Sequence, residues 1–213
     1  LFMALFRSLI QIFSGQTHLC AHLCESFIAD NQKRVGDMII QQDTFDVEQT
    51  NPLIAVALTN DYIAQNNDMC MFATLFFGVL EPESGKLAYI SGGHEAVFVI
   101  DQNGVRERLL PTGPAVGPLP QAKFAYKEIQ LLPGEILFAY TDGVIDARSP
   151  NEERFTKRRL FSLLSQPVDS ALELTQKIAT DLFAHIGIAP QEDDITMLTL
   201  QRKRIYRDTE KRF

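Results

Sequence analysis

Apolar residues fall at helical spacing through the first third of the chain and in short strand-like runs through its middle. Leu1 to Phe13 and Thr17 to Asp30 read as helices, broken near Ser14-Gly15. Asn31 to Gln49 is polar and acidic and reads as a loop. Asn51 to Gln65 brings Leu53, Ile54, Ala57, Leu58 and Ile63 back to a roughly helical period. The pattern then changes. Short runs predict strands at Phe72–Leu80 and Lys86–Ile90, with Gly85 closing the hairpin between them. A second hairpin joins Ala96–Ile100 to Val105–Leu110 through Asp101-Gln102-Asn103-Gly104, where Asn-Gly is a strong hairpin turn signal. Strands near Ala122–Gln130 and Glu135–Tyr140, helices near Lys157–Ser165 and Ser170–Ile186, and a strand at Ile195–Gln201 follow. Helices, then an antiparallel run, then helices and a last strand predict an α+β layered domain over residues 1–201. Residues 202–213 read as a charged tail, and no internal repeat or low-complexity tract occurs.

Composition narrows the class of protein. At 213 residues one domain is expected, or two small ones, and 46% apolar content is enough for a sizeable core. A net charge of −7 argues against nucleic acid or an anionic membrane as the main partner. Cys20, Cys24 and Cys70 form no even-numbered framework and fit a reducing cytoplasm. Leu1 to Phe13 is too short to span a bilayer and is interrupted by Arg7; no cleavage-site pattern follows it. Transmembrane or sensor modules further upstream remain compatible with this.

Two acidic motifs carry the candidate chemistry. In Leu131-Leu132-Pro133-Gly134-Glu135-Ile136-Leu137-Phe138-Ala139-Tyr140-Thr141-Asp142-Gly143, a Pro-Gly turn starts an apolar strand that delivers Asp142 at its carboxyl end. Gly143 is expected to let the chain turn and to leave space beside the carboxylate. In Glu192-Asp193-Asp194-Ile195-Thr196-Met197-Leu198-Thr199-Leu200, acids precede an alternating strand. If the two strands are antiparallel neighbours, Asp142 and Asp193 meet, and anionic oxygens held that way suit a hard divalent cation. The competing reading is that both are turn residues, the commoner role for a lone Asp.

Taken together the motifs resemble the PPM-type, metal-dependent serine/threonine phosphatases, in the bacterial branch of stage II sporulation protein E and the sigma-B regulatory phosphatases. The carriers are Leu131 to Glu135 with Tyr140-Thr141-Asp142-Gly143-Val144, and Phe72 to Leu80 running through Gly85 to Ile90 and on to Ser91-Gly92-Gly93-His94. Gly113 to Gly117, Phe155 to Leu160 (the family's Phe-Gly-x-x-Arg-Leu) and Asp193-Asp194-Ile195-Thr196 complete them. Residues 70–200 are covered closely, with Leu1 to Leu9 as a further piece. The resemblance implies a two-sheet sandwich flanked by helices. It implies two Mn²⁺ or Mg²⁺ ions that activate a water for hydrolysis of phosphoserine or phosphothreonine. On this chain Asp142 and Asp193 match the family's metal ligands, and Asp194 ligates through water or orients Asp193. Thr141, Gly143 and His94 line the site, with no catalytic group beyond the ligands. The implied partners are a phosphorylated regulatory protein, such as an anti-sigma-factor antagonist, and an upstream sensor module. The setting is cytoplasmic, with a parent protein that is free or membrane-tethered.

Several features limit the carry-over. The family's Gly-Gly-Asp and Asp-x-Ser-Gly-x-Gly motifs do not occur. The chain is therefore read as the C-terminal portion of the domain, lacking its opening strands. Weak metal binding, little activity alone, and self-association into a homodimer through a bare sheet edge are expected. The rival to an enzyme is a non-catalytic, phosphatase-like interaction module; a metal-dependent nuclease is disfavoured by the missing basic stripe. His94 follows Ser91-Gly92 where the family has Asn-Ala. It reads as a loop histidine bonded locally in preference to a general acid. Asp146 and Glu192 read as solvated acids, and Lys157-Arg158-Arg159 as a charged helix start. His18, Cys20, His22 and Cys24 alternate, but a helix puts the histidines and cysteines on opposite faces, so a buried-cysteine helix is preferred to a zinc site.

Overall fold

The computed structural model describes residues 47–203 of the chain. The helices expected at Leu1–Phe13 and Thr17–Asp30, the cysteine-bearing face of the second, and the tail from residue 204 lie outside the described residues. The elements are α1 (Val47–Gln65), β1 (Leu75–Leu80), β2 (Lys86–Gly92), β3 (Val97–Asp101), β4 (Gly104–Leu109), β5 (Lys127–Gln130) and β6 (Ile136–Tyr140). They continue with α2 (Gly143–Asp146), α3 (Lys157–Leu164), α4 (Ala171–Ile186) and β7 (Met197–Gln201). The strands form a three-stranded sheet, order β1-β2-β5, and a four-stranded sheet, order β4-β3-β6-β7. This is the mixed α/β architecture expected, with antiparallel pairing throughout the larger sheet. Among the described residues no helix is long and apolar enough to cross a membrane.

The chain divides into two compact units. The first comprises the described residues 47–79 with 88–94 and 111–127. Its core joins Ala55, Val56, Leu58 and Ile63 of α1 to Ala73, Leu75, Ile90 and Val116. α1 also buries polar groups. Asn60 is fully buried and accepts from the Gly117 amide at 3.0 Å while donating to the Leu119 carbonyl at 2.9 Å. Asp61 accepts from the Gln121 amide at 2.8 Å. A buried polar group costs free energy unless it is hydrogen-bonded. These contacts therefore clamp the 113–121 loop onto the helix.

The second unit comprises the described residues 80–87, 95–110 and 128–203. Phe98 and Ile100 on β3 and Ile136, Phe138 and Tyr140 on β6 present one apolar face of the sheet. Leu160 and Leu164 of α3 and Leu174, Ile178, Leu182 and Ile186 of α4 cover it. The four-residue spacing along α4 is what one buried helical face demands. Each helix starts on a side-chain cap: Thr156 accepts from the Arg159 amide and Ser170 from the Glu173 amide. The turn into β6 is held by Glu135, whose buried carboxylate pairs with Arg106 at 2.6 Å and accepts from the Leu132 amide at 2.7 Å.

Four local expectations are corrected. β5 covers only Lys127–Gln130, so Ala122 to Tyr126 is not strand. There Ala125 donates its amide to Thr112, outside any ladder. β1 begins at Leu75, because Ala73 is drawn into a bridge with Val116. α1 starts at Val47, inside the stretch read as a loop. Asp142 is followed by the one-turn helix α2, which its length hides from any periodicity test.

Candidate functional site

β6 and β7 are antiparallel neighbours in the register Ile136↔Gln201 to Tyr140↔Met197. The end of one strand therefore adjoins the entrance of the other, as the site reading requires. The pairing continues past the strands. The Thr141 amide donates to the Thr196 carbonyl at 3.0 Å. The Thr141 hydroxyl donates to the Asp194 carbonyl at 2.8 Å and accepts from the Thr196 amide at 2.9 Å. Asp142 follows as the N-cap of α2, its Oδ1 accepting from the Gly143 amide at 3.1 Å. Gly143 is buried, and a Cβ there would lie 2.5 Å from the Asp194 carbonyl oxygen. Gly143 has no positive φ. Its role is therefore close approach of the acidic segment, not the sharp turn expected. In the segment leading into β7, Asp193 Oδ1 accepts from the Asp194 amide at 2.7 Å, and Gln191 donates to the Asp193 carbonyl at 2.8 Å.

The acids separate into two kinds. Asp146 pairs with Arg154 at 3.0 Å and Glu192 with Arg148 at 3.1 Å. These two are exposed, as expected of solvated acids, and already hold cationic partners. Asp142, Asp193 and Asp194 are also exposed, and among the described residues none of them is in an ion pair. A cleft of about 260 Å³ is lined by Gly143, Asp146, Arg148, Arg154, Glu192 and Asp193.

Beneath the strand end, Tyr140 is buried and donates to Glu95 at 3.4 Å, while Lys157 approaches Glu95 at 2.8 Å. Burial first, then the Glu95 carboxylate, pushes the Tyr140 phenol above its ordinary range, so it stays protonated as a donor. Sequence reasoning missed this support for the end of β6. Its one signal was an acid, Glu95, entering an apolar strand. Within the basic cluster at α3, Arg159 is held by Asp181 at 2.7 and 3.0 Å and Lys157 by Glu95. His94 follows β2 in the first unit, whereas the acids stand in the second.

The donor chemistry fits a hard divalent cation: carboxylates unclaimed by cationic side chains, brought to adjoining strand ends. Among the described residues no three His, Cys, Asp or Glu side chains gather into a ready cage.

The architecture is that of PP2C phosphatase domains. The SiaA-PP2C domain of Pseudomonas aeruginosa superposes with a TM-score of 0.57 at 22% identity, covering 70% of this chain and 58% of that one. The sequence model of stage II sporulation protein E (SpoIIE) matches residues 35–203, and the chain belongs to that family. Protein IcfG of Synechocystis sp. is 42% identical over 210 residues, 95% of this chain and 31% of that protein. Phosphoserine phosphatase RsbU of Bacillus subtilis is 26% identical over 146 residues, 68% of this chain and 43% of RsbU. The chain thus spans less than half the length of either curated relative.

Proposed function

We propose that the protein hydrolyses phosphoserine or phosphothreonine on a regulatory protein, using Mn²⁺ or Mg²⁺ held in part by Asp142 and Asp193. The observation that carries this reading is the junction of β6 and β7. It sets the Asp142 turn beside the Asp193–Asp194 segment, whose acids no cationic side chain among the described residues neutralises, while their neighbours Asp146 and Glu192 are paired. Family membership and the name of RsbU, a phosphoserine phosphatase, support the reaction class. A divalent cation bound there supplies Lewis-acid stabilisation of phosphoryl charge and acidifies a water. Asp142 and Asp193 hold it; Asp194 orients Asp193 or binds through water. Gly143 keeps the acidic segments close. The acids also explain why bare phosphate would be repelled without cations to offset them.

The substrate class this favours is a phosphorylated partner such as an anti-sigma-factor antagonist, with a sensor module elsewhere in the parent protein controlling the domain. Phosphate release from a phosphoserine protein by the full-length protein should need Mn²⁺ or Mg²⁺ and stop in excess EDTA. Asp142→Asn should lower the rate by orders of magnitude. Undiminished release in EDTA, or a fully active Asp142→Asn, would reject the proposal. A second reading, a phosphatase-like interaction module, draws on the missing ready-made cage among the described residues. Stable binding of the phosphoprotein with no phosphate release at saturating Mn²⁺ would select it.

A further inference from the structure

We infer that Thr141 is a positioning residue whose hydroxyl fixes the separation of the two acidic segments and thereby sets the affinity for the divalent cation. The inference rests on the metal-dependent reading of the site and goes beyond it. It assigns the tuning of the site to a neutral side chain that touches no cation.

The argument starts at the end of the sheet. The regular β6–β7 ladder stops at Tyr140↔Met197. Beyond it, Asp193 to Thr196 is not strand, so no ladder holds the acids in place. Thr141 replaces that ladder with three contacts. Its amide donates to the Thr196 carbonyl at 3.0 Å. Its hydroxyl donates to the Asp194 carbonyl at 2.8 Å and accepts from the Thr196 amide at 2.9 Å. A hydroxyl can serve as donor and acceptor together, and here it spans the peptide groups on both sides of Ile195. The next residue on one side is Asp142. On the other, the bonded carbonyl belongs to Asp194 itself. One hydroxyl thus ties the two acidic segments within one residue of each acid.

Glu192, at the head of the acidic segment, is held by Arg148 from beyond α2, not from β6, and the remaining side-chain hydrogen bonds at Asp193 and Asp194 are short-range. Gln191 reaches the Asp193 carbonyl and Asp193 Oδ1 reaches the Asp194 amide, both within two residues. Neither joins the segment to β6. Gly143 permits close approach but, lacking a side chain, pulls nothing inward. The Thr141 side chain is therefore the directional link across the junction.

The consequences can be separated from a loss of fold. Thr141→Val keeps the shape and removes the hydroxyl. The groups it releases lie in an exposed segment, where water can replace the lost bonds, so the cost in stability is small. The cost in cation affinity is larger, because carboxylates that must be ordered at binding hold a cation less well. Loss of such a supporting contact typically lowers metal affinity by about 10–100-fold. Thr141→Ser keeps both hydrogen-bonding roles.

The test is Mn²⁺ titration of the full-length protein, followed by the electron paramagnetic resonance signal of free Mn²⁺, for wild type, Thr141→Val, Thr141→Ser and Asp142→Asn. Thr141→Val should bind about 10–100-fold more weakly, with an unfolding midpoint in EDTA close to wild type. Thr141→Ser should restore most of the affinity. Wild-type affinity in Thr141→Val, or equal weakening in Thr141→Ser, would overturn the inference. Failure of the underlying reading looks different: wild type binds no Mn²⁺, or Asp142→Asn binds it as tightly as wild type.

Discussion

Gly143 and Asp194 stand so close that a single Cβ on Gly143 would lie 2.5 Å from the Asp194 carbonyl oxygen and 2.9 Å from its carbonyl carbon. Both obstacles are backbone, which cannot rotate away as a side chain could. Gly143→Ala should therefore push the acidic segment off the end of β6. Overpacking of this kind costs about 1–3 kcal/mol. Urea unfolding should show a loss in that range, together with weakened Mn²⁺ binding. Wild-type stability and affinity in Gly143→Ala would show that the segment yields freely and that the glycine is not required for close approach.

Thr156 offers the opposite case, a residue whose replacement by glycine should help. Its φ of 71° is unusual for a β-branched side chain, and the family segment it matches carries glycine there. A conformation of this kind costs about 1–3 kcal/mol. Its cap on the Arg159 amide is long, at 3.4 Å, and glycine at a cap loses only a few tenths of a kcal/mol. The freer unfolded chain of the glycine variant offsets about 0.4–1 kcal/mol of the relieved strain. Thr156→Gly should stabilise the second unit by about 1 kcal/mol on balance, read as a higher urea midpoint with unchanged slope. A lower midpoint would mean that the cap outweighs the strain.

The pair between α3 and α4 makes an acid-limb prediction. A hydrogen bond from Arg159, against some burial, holds the Asp181 carboxyl below its ordinary range, with Arg159 and His185 adding attraction. The same bond raises the Arg159 guanidinium. A depressed carboxyl stabilises the fold above its unfolded pKa, about 3.9 for aspartate. That contribution disappears as pH falls through the folded value. Both side chains are a third or more exposed, so a double-mutant cycle should give only about 0.5–1 kcal/mol at pH 7. Asp181→Asn should be less stable than wild type at pH 7, with the gap closing below about pH 4. A gap that stays constant down to pH 2 would mean that the carboxylate charge is not what stabilises the contact.

Hairpins and the limits of α3 and α4 were legible because their causes are local. Asn103-Gly104 and Pro133-Gly134 mark turns by backbone preference, and Leu174, Ile178 and Leu182 repeat with one helical face. The adjacency of the Asp142 turn and the Asp193–Asp194 segment was legible only as a condition on strand pairing, which is a long-range property. What escaped depends on contacts far apart in sequence. Ala73 leaves its expected strand for Val116, 43 residues away, and residues 122–126 follow the 112 loop instead of a ladder. α2 was hidden by its single turn. Asp146 and Glu192 were legible as solvated acids, but their arginine partners were not, since Arg148 reaches Glu192 across 44 residues.

That division among the acids supports the last prediction. Asp146 and Glu192 are as near in sequence to the candidate ligands as any carboxylates, but Arg154 and Arg148 hold them at 3.0 and 3.1 Å. A cation drawing on either must first break an ion pair and leave an arginine facing its own charge. Asp142 and Asp193 carry no such cost. Neutralising them removes anionic charge from the cation; neutralising Asp146 or Glu192 removes charge that is already compensated. Asp142→Asn and Asp193→Asn should each abolish measurable Mn²⁺-dependent phosphate release. Their double variant should be little worse than either, because ligands of one site act as a unit. Asp146→Asn and Glu192→Gln should keep Mn²⁺ affinity within about threefold, the range of an exposed ion pair worth under 1 kcal/mol. Isothermal titration with Mn²⁺ and steady-state phosphate release, run on all five variants, decide it. An Asp146→Asn protein as inactive as Asp142→Asn would show that the ion-paired acids belong to the site, and the assignment of ligands by free carboxylates would have to be withdrawn.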